Sequence, residues 1–288
     1  MKIQFTVPDN NPPAISTNDS GPIPARDACR FLHHTVQSQY AEQLQAKPDQ
    51  GKVSRTLAND LYSNGSTWQF TGLNLRFRDW RFIHKARLNC TPLNSAKSRW
   101  SNTSPHCRHC NDDETLPHVL CHCRPNMVAI RARHDKVVTR LTNAIRFGEV
   151  ITDRTVADAD SSLRPDIIIK EGNRVVIIDV CCPFENGPEA LRDAEQLKIV
   201  KYEPLKQHFI SMGSQCEVFG FPVGALGSWH PGNEIVLRRL GMTKSYKSLF
   251  RKLCCTDVIQ SSSDIYRQHL GIPEANREAP VGPQAEQF

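Results

Sequence analysis

Two nearly unbroken apolar runs, DIIIK (Asp166–Lys170) and VVIIDV (Val175–Val180), stand out from a mostly polar chain. Strict alternation would mark a strand with one wet face, whereas continuous runs of this length predict central strands covered on both faces. The Gly172-Asn173 pair between them is a tight-hairpin signal. On either side, apolar positions recur at helical spacing over Ala129–Phe147 and Pro188–Glu203, the second helix ended or kinked by Pro204. Cys216–Gly227 predicts a later strand, while Asn233–Leu240 and about Ser245–Leu270 predict helices packed as an appendix. Helix, strands, helix, strand is the order of a mixed α/β layer.

The N-terminal VPDNNPPAISTNDSGPIP stretch is too polar to offset its ordering entropy, so residues 1–50 read as a largely disordered tail or linker, with one helix over Asp27–Gln45. The remaining divisions expected are a basic helical segment over 51–103, a zinc knuckle over 104–125 and the α/β core over 126–228. A helical appendix over 229–272 and a tail over 273–288 complete the chain.

With 288 residues and 39% apolar content there is room for about two modest domains of ~100–200 residues each. No apolar run approaches the ~20 residues of a membrane helix, and Met1–Asn10 lacks the apolar centre of a secretion signal, so a soluble intracellular protein is expected. Eleven cysteines, an odd number set beside histidines or inside strands, argue for metal ligands and buried thiols in a reducing compartment. The pairs Cys181-Cys182 and Cys254-Cys255 read as buried thiols. Thirty-six Lys and Arg against 30 Asp and Glu leave +6, which suits an anionic partner only where the charge is gathered. It gathers in Leu73–Asn89: as a helix this segment puts Arg78, Arg81 and Lys85 on one face able to track phosphates, the alternative being a plain solvated face.

Cys107, Cys110, His118 and Cys123 form C-x2-C-x7-H-x4-C, a spacing that closes four soft ligands around one Zn2+. All four positions are protein-ligated, so such a zinc is structural. Cys121 competes with Cys123 for the fourth place, and His106, His109 and His122 lie within reach.

If Gly172-Asn173 is the hairpin loop, partners sum to 345 and Asp166 faces Asp179, with Cβ atoms ~5 Å apart. Like charges so placed call for a cation, and Mg2+ or Mn2+ between two carboxylates is a phosphodiesterase's requirement. The position two after Asp179 is Cys181, so the lysine such a site needs is sought on the next helix. There Leu191, Glu195, Lys198 and Tyr202 share a stripe, making Lys198 the candidate and Lys201 the runner-up. His134 and Arg164 are further candidates, Arg164 as a phosphate contact. Taken singly, each residue also has a structural reading as a turn cap, a snorkelling lysine or a core ring.

The run from about Trp80 to Tyr266 resembles the C-terminal part of non-LTR retrotransposon polyproteins of the restriction-like-endonuclease type, the group that inserts into ribosomal RNA genes. The matching pieces are DWRFIHKARLN (Asp79–Asn89), ETLPHVLCHC (Glu114–Cys123), RHD (Arg133–Asp135), RPD (Arg164–Asp166), IIDV (Ile177–Val180), PFEN (Pro183–Asn186), LKIVKY (Leu197–Tyr202) and VGALGSW (Val223–Trp229). The resemblance implies a restriction-endonuclease-like core, a mixed sheet flanked by helices, with Asp166, Asp179 and Lys198 catalytic and Cys107, Cys110, His118 and Cys123 on zinc. It implies a double-stranded DNA target nicked to prime reverse transcription, the element's RNA as a further partner, and a nuclear location. No Tyr-x-Asp-Asp polymerase signature occurs here, so copying RNA would need another chain. The competing expectation is a catalytically inactive remnant that binds nucleic acid through the knuckle and the basic helix.

Overall fold

The computed structural model describes residues 3–6, 14–17, 20–66, 68–71, 74–156 and 162–272. Met1–Gly51 and Lys52–Phe288 are separate compact units. In the first, β1 (Ile3–Thr6), β2 (Ala14–Thr17) and β3 (Ser20–Pro24) form an antiparallel sheet ahead of α1 (Ala25–Ala46). Composition predicts tail over most of this stretch; the helix expected over Asp27–Gln45 is present, and ahead of it Ile3–Thr6, Ala14–Thr17 and Ser20–Pro24 are strands. Their mutual hydrogen bonding, invisible to a composition average, is what differs. The tail expected over 273–288 lies outside the described residues.

The second unit opens with short helices, α2 (Gly51–Leu57), α3 (Asp60–Ser63) and α4 (Trp68–Thr71), followed by α5 (Phe77–Arg87) and α6 (Asn94–Lys97). A π-helical turn at His118–His122 leads into α7 (Met127–Thr142). Then come β4 (Glu149–Thr152), β5 (Ile167–Glu171), β6 (Arg174–Cys181), α8 (Pro188–Ser211), β7 (Gln215–Pro222), α9 (Asn233–Arg239) and α10 (Lys244–His269). The sheet order is β4-β5-β6-β7, antiparallel except for the parallel β6–β7 pair that α8 connects. A parallel pair cannot be joined by a tight turn, so a long crossover is obligatory, and α8 supplies it. This is the mixed α/β layer expected from the order of elements.

The β5–β6 hairpin keeps the predicted register: Ile167 faces Ile178, Lys170 faces Val175 and Glu171 faces Arg174. Gly172 sits in the turn at φ +56°, a conformation that glycine adopts without a Cβ clash. Both faces of the hairpin are buried. Ile167, Ile169, Val176, Ile178 and Val180 meet α7, α9 and α10; Ile168, Val175 and Ile177 meet Tyr202, Leu205 and Phe209 of α8. Asp179, two residues on from Ile177, therefore belongs to the α8 face.

Two expectations need correction. First, α8 runs through Pro204 to Ser211. Pro204 removes a bond to the Val200 carbonyl, yet Val200 is on the water side, where solvent satisfies that oxygen, while Leu205 and Phe209 beyond it are buried. Second, α10 is no appendix. Phe250, Cys254, Cys255 and Val258 join the sheet core, Ile259, Ile265 and Tyr266 join a second core, and Ser261, Ser262 and Ser263 are buried between. A helix covered nearly all round carries little amphipathic signal to announce its burial.

Candidate active site and metal centre

The π-helical turn sets half of the cysteine-histidine cluster. The Cys123 amide bonds the His118 carbonyl at 2.8 Å, five residues back, and this wide turn brings His118 and Cys123 to one side. Cys107 and Cys110 arrive on a tight reversal closed by the Cys107 amide on the Asp112 carbonyl, 2.7 Å. The ligand atoms of Cys107, Cys110, His118 and Cys123 all lie within 4.8 Å of one another. Cys107 Sγ is 4.0 Å from Cys123 Sγ and Cys110 Sγ is 3.2 Å from His118 Nε2. Tetrahedral zinc with ~2.3 Å bonds to sulfur needs edges of about 3.8 Å, so the donor set fits a structural zinc. Burial, then the charge and bond of Cys107, push Cys123 up to about 12.

The rival ligands are accounted for. Cys121 turns away, its Sγ 3.7 Å from the Cys182 carbonyl, and His106 sits at the surface beside Asp113. His109 bonds the carbonyl of His269, and His122 lines a separate cleft. The sequence reading missed a second layer. His269, at the end of α10 and fully buried, has Nε2 2.9 Å from Glu114 Oε1 and 3.9 Å from Cys107 Sγ. Asn126 Nδ2 donates to His269 Nδ1 at 3.1 Å, so Nε2 carries the proton and donates to Glu114. Glu114 also accepts from Arg108 and the Asn94 amide; burial raises its pKa, but these donors and His269 prevail and hold it at about 2.

At the end of the β5–β6 hairpin the two aspartates meet. The Asp166 amide donates to Asp179 Oδ1 at 3.3 Å and the Val180 amide donates to Asp166 Oδ2 at 2.6 Å. Lys198 Nζ approaches Asp179 Oδ2 to 2.5 Å outside hydrogen-bonding angles, so that buried oxygen accepts no hydrogen bond. Burial opposes charge on Lys198, yet contact with Asp179 outweighs it and raises the ammonium's pKa. His134, from α7, places Nε2 3.0 Å from Asp166 Oδ2 and 3.2 Å from the Val180 carbonyl. Burial pulls its pKa down, but the bond and charge of Asp166, with Asp135 behind, lift it to about 9. Lys198 thus faces Asp179, and His134 faces Asp166.

Lys198 and His134 reach a cleft of about 500 Å³ that is also lined by Cys121, Arg133, Cys181 and Cys182. Burial pushes Cys181 up to about 12, so a neutral thiol occupies the position where a lysine was first sought. Tyr202 is buried and its hydroxyl donates to the Arg164 carbonyl at 2.9 Å. Burial, then Asp179, hold that phenol protonated. Lys201 Nζ donates to the same hydroxyl at 2.8 Å, and Arg164 is bound to Asp153 through both its carbonyl and its carboxylate.

Arg78, Arg81 and Lys85 of α5 do not act alike. Arg78 is tied to Asp264 of α10 at 2.6 Å, whereas Arg81 and Lys85 are exposed. Leu73, the first residue of the predicted basic segment, lies outside the described residues.

Two of the short motifs prove to be scaffold. Buried Glu185 accepts from the amides of Leu226 (2.8 Å) and Ser228 (3.1 Å), and Arg87 donates to the Leu226 carbonyl at 2.8 Å. A Cβ on Gly224 would lie 2.1 Å from Glu185 Oε1, which explains glycine in that loop. Burial lowers Arg87 to about 10, Glu185 opposing the shift.

The molecule is therefore a mixed α/β protein with a Cys3His cluster and a cleft lined by Lys198 and His134, whose partners Asp179 and Asp166 lie behind them. Among the described residues no helix is long and apolar enough to cross a membrane. No protein-family model matches the chain. It is a distant homologue of the Retrovirus-related Pol polyprotein from type-1 retrotransposable element R2 of Popillia japonica, 32% identical over 168 residues. The alignment covers 56% of this chain and 34% of that polyprotein, so the chain spans about a third of the relative's length.

Proposed function

We propose that the chain is the endonuclease portion of a retrotransposon polyprotein, a Mg2+- or Mn2+-dependent enzyme with a restriction-like core that nicks double-stranded DNA. The observation that carries this reading is the junction of Asp166, Asp179 and Lys198 at one end of a rigid hairpin, beside an open cleft. Kinship to a Pol polyprotein favours nucleic acid as the substrate.

Asp166 and Asp179 would hold the divalent cation. The fit rests on hard carboxylate oxygens across one register step and on buried Asp179 Oδ2, which accepts no hydrogen bond. When bound, such an ion polarises a scissile phosphate and lowers the pKa of its water. Lys198, kept cationic by Asp179, is placed to stabilise charge building on the phosphoryl oxygens or to orient the attacking water. His134 fixes the carboxylate of Asp166. Arg164 and Lys201 would contact backbone phosphates, and the zinc cluster would brace the cleft wall. In a transposing element the exposed 3′ hydroxyl would prime reverse transcription by a polymerase that these residues do not provide, and the work would be done in the nucleus.

Supercoiled plasmid tests this. Purified protein should convert it to the nicked form only with Mg2+ or Mn2+, and Asp166→Asn and Asp179→Asn should reduce conversion to background while keeping the parent's zinc content. Parental cutting by both variants would refute the site. Salt-sensitive DNA binding without any cutting would leave the inactive, nucleic-acid-binding remnant.

A further inference from the structure

The surface of α5 holds an exposed ring with a rigid foundation. Phe77 stacks on Trp80 with centroids 6.0 Å apart and planes 11° apart. Trp80 meets His84 at 4.2 Å, and His84 meets Trp68 at 5.8 Å. Trp68 is buried, with the Arg87 guanidinium 4.8 Å from its ring. The ladder therefore runs from the core to the surface, and its outermost ring, Phe77, remains 72% exposed.

An isolated surface phenylalanine would keep its rotamer freedom and lose it on binding anything; a ring held from beneath has already lost most of it. Arg81 brings its guanidinium to 6.0 Å from the Phe77 centroid, and Lys85 follows one turn on. Among the described residues neither cation pairs with a carboxylate, in contrast to Arg76 and Arg78, which hold Asp79 and Asp264. A flat apolar face bordered by unpaired cations suits a ligand with a π face and regular negative charge. In a duplex both faces of each interior base are already stacked, so only an unpaired base can use the ring.

We propose that Phe77, backed by Trp80, stacks an unpaired nucleobase of single-stranded nucleic acid, with Arg81 and Lys85 on the adjoining phosphates. The inference rests on the nucleic-acid part of the proposed function but not on cleavage.

Fluorescence anisotropy of short labelled oligo(dT) and oligo(U), with the full chain and no added divalent cation, provides the test. Phe77→Ala should weaken single-strand binding about tenfold, Phe77→Trp should retain it, and Arg81→Ala should reduce the slope of log affinity against log salt by about 0.7. A duplex of equal length should lose less than about twofold on Phe77→Ala, since its bases are stacked already. The stronger of oligo(dT) and oligo(U) identifies whether DNA or RNA is the source of the strand. Parental affinity in Phe77→Ala, equal losses for duplex and single strand, or failure of both oligonucleotides to bind would each overturn the proposal. The anisotropy is read without divalent cation and the nicking assay requires it, so loss of nicking with intact strand binding counts against the nuclease reading alone, and loss of strand binding with intact nicking counts against this proposal alone.

Discussion

Replacing Lys198 by methionine isolates the electrostatics of the carboxylate pair. Lys198 Nζ lies 2.5 Å from an Asp179 side chain that is only 3% exposed, while the lysine side chain is 26% exposed. Removing one partner of a buried pair strands the other and costs about 3–5 kcal/mol. The partly open lysine side admits water to the stranded carboxylate, and His134 still neutralises Asp166, so about 2 kcal/mol is expected here. For a unit of this size that is a fall in Tm of roughly 4–8 °C. Lys198→Met with Asp179→Asn should recover most of the loss, because no orphaned charge remains. Mg2+ at ten times its Kd should stabilise by about 1.4 kcal/mol, and more in Lys198→Met than in the parent, since the ammonium no longer competes for Asp179. Thermal unfolding at neutral pH and constant ionic strength, with and without Mg2+, measures all of this. A Lys198→Met protein that melts with the parent and ignores Mg2+ would refute both the ion pair and the cation site.

Metal analysis should find one zinc per chain, lost in Cys123→Ser and retained in Cys121→Ser, since only Cys123 joins the cluster. His230 is buried and its Nδ1 accepts from the Gly232 amide; burial, with Arg192 behind it, pulls its pKa down to about 4. The unfolded chain takes up a proton near pH 6.5 and the folded one does not. The His230 contribution should therefore be full above pH 6.5 and fall by up to about 3 kcal/mol as pH drops to 4. Urea unfolding across that window reads the slope, and His230→Gln should flatten it. Glu185→Ala would orphan the Leu226 and Ser228 amides at about 1–3 kcal/mol each, a loss of about 2–6 kcal/mol in urea unfolding, with Glu185→Gln intermediate.

Local signals were read well and remote ones were not. The hairpin register followed from Gly172-Asn173, because a two-residue turn leaves the strands one way to pair. Edge strand β4 has no signature in the sequence: four residues with half-exposed sides give no alternation to detect. Arg78 looked like its neighbour Arg81, and only Asp264, 186 positions away, separates their roles. Glu185 and Arg87 passed as ordinary charged residues within their motifs because their shared loop lies roughly 40 and 140 positions further along the chain, respectively.

By itself the sequence determined the chemistry available within short spans: four soft ligands with knuckle spacing, two aspartates set by one hairpin, and a lysine on the right stripe of the next helix. Those are fixed by bond geometry and the periods of strand and helix. Tertiary structure alone decided which groups complete them. His269 reaches the cysteine cluster from the end of α10, and His134 reaches Asp166 from α7, 32 residues away. His134 is a candidate by sequence, though its pairing with Asp166 is not legible there, and His269 has no local signature at all, because burying a polar group requires a partner nearby in space, and packing, with no rule of spacing, supplies it.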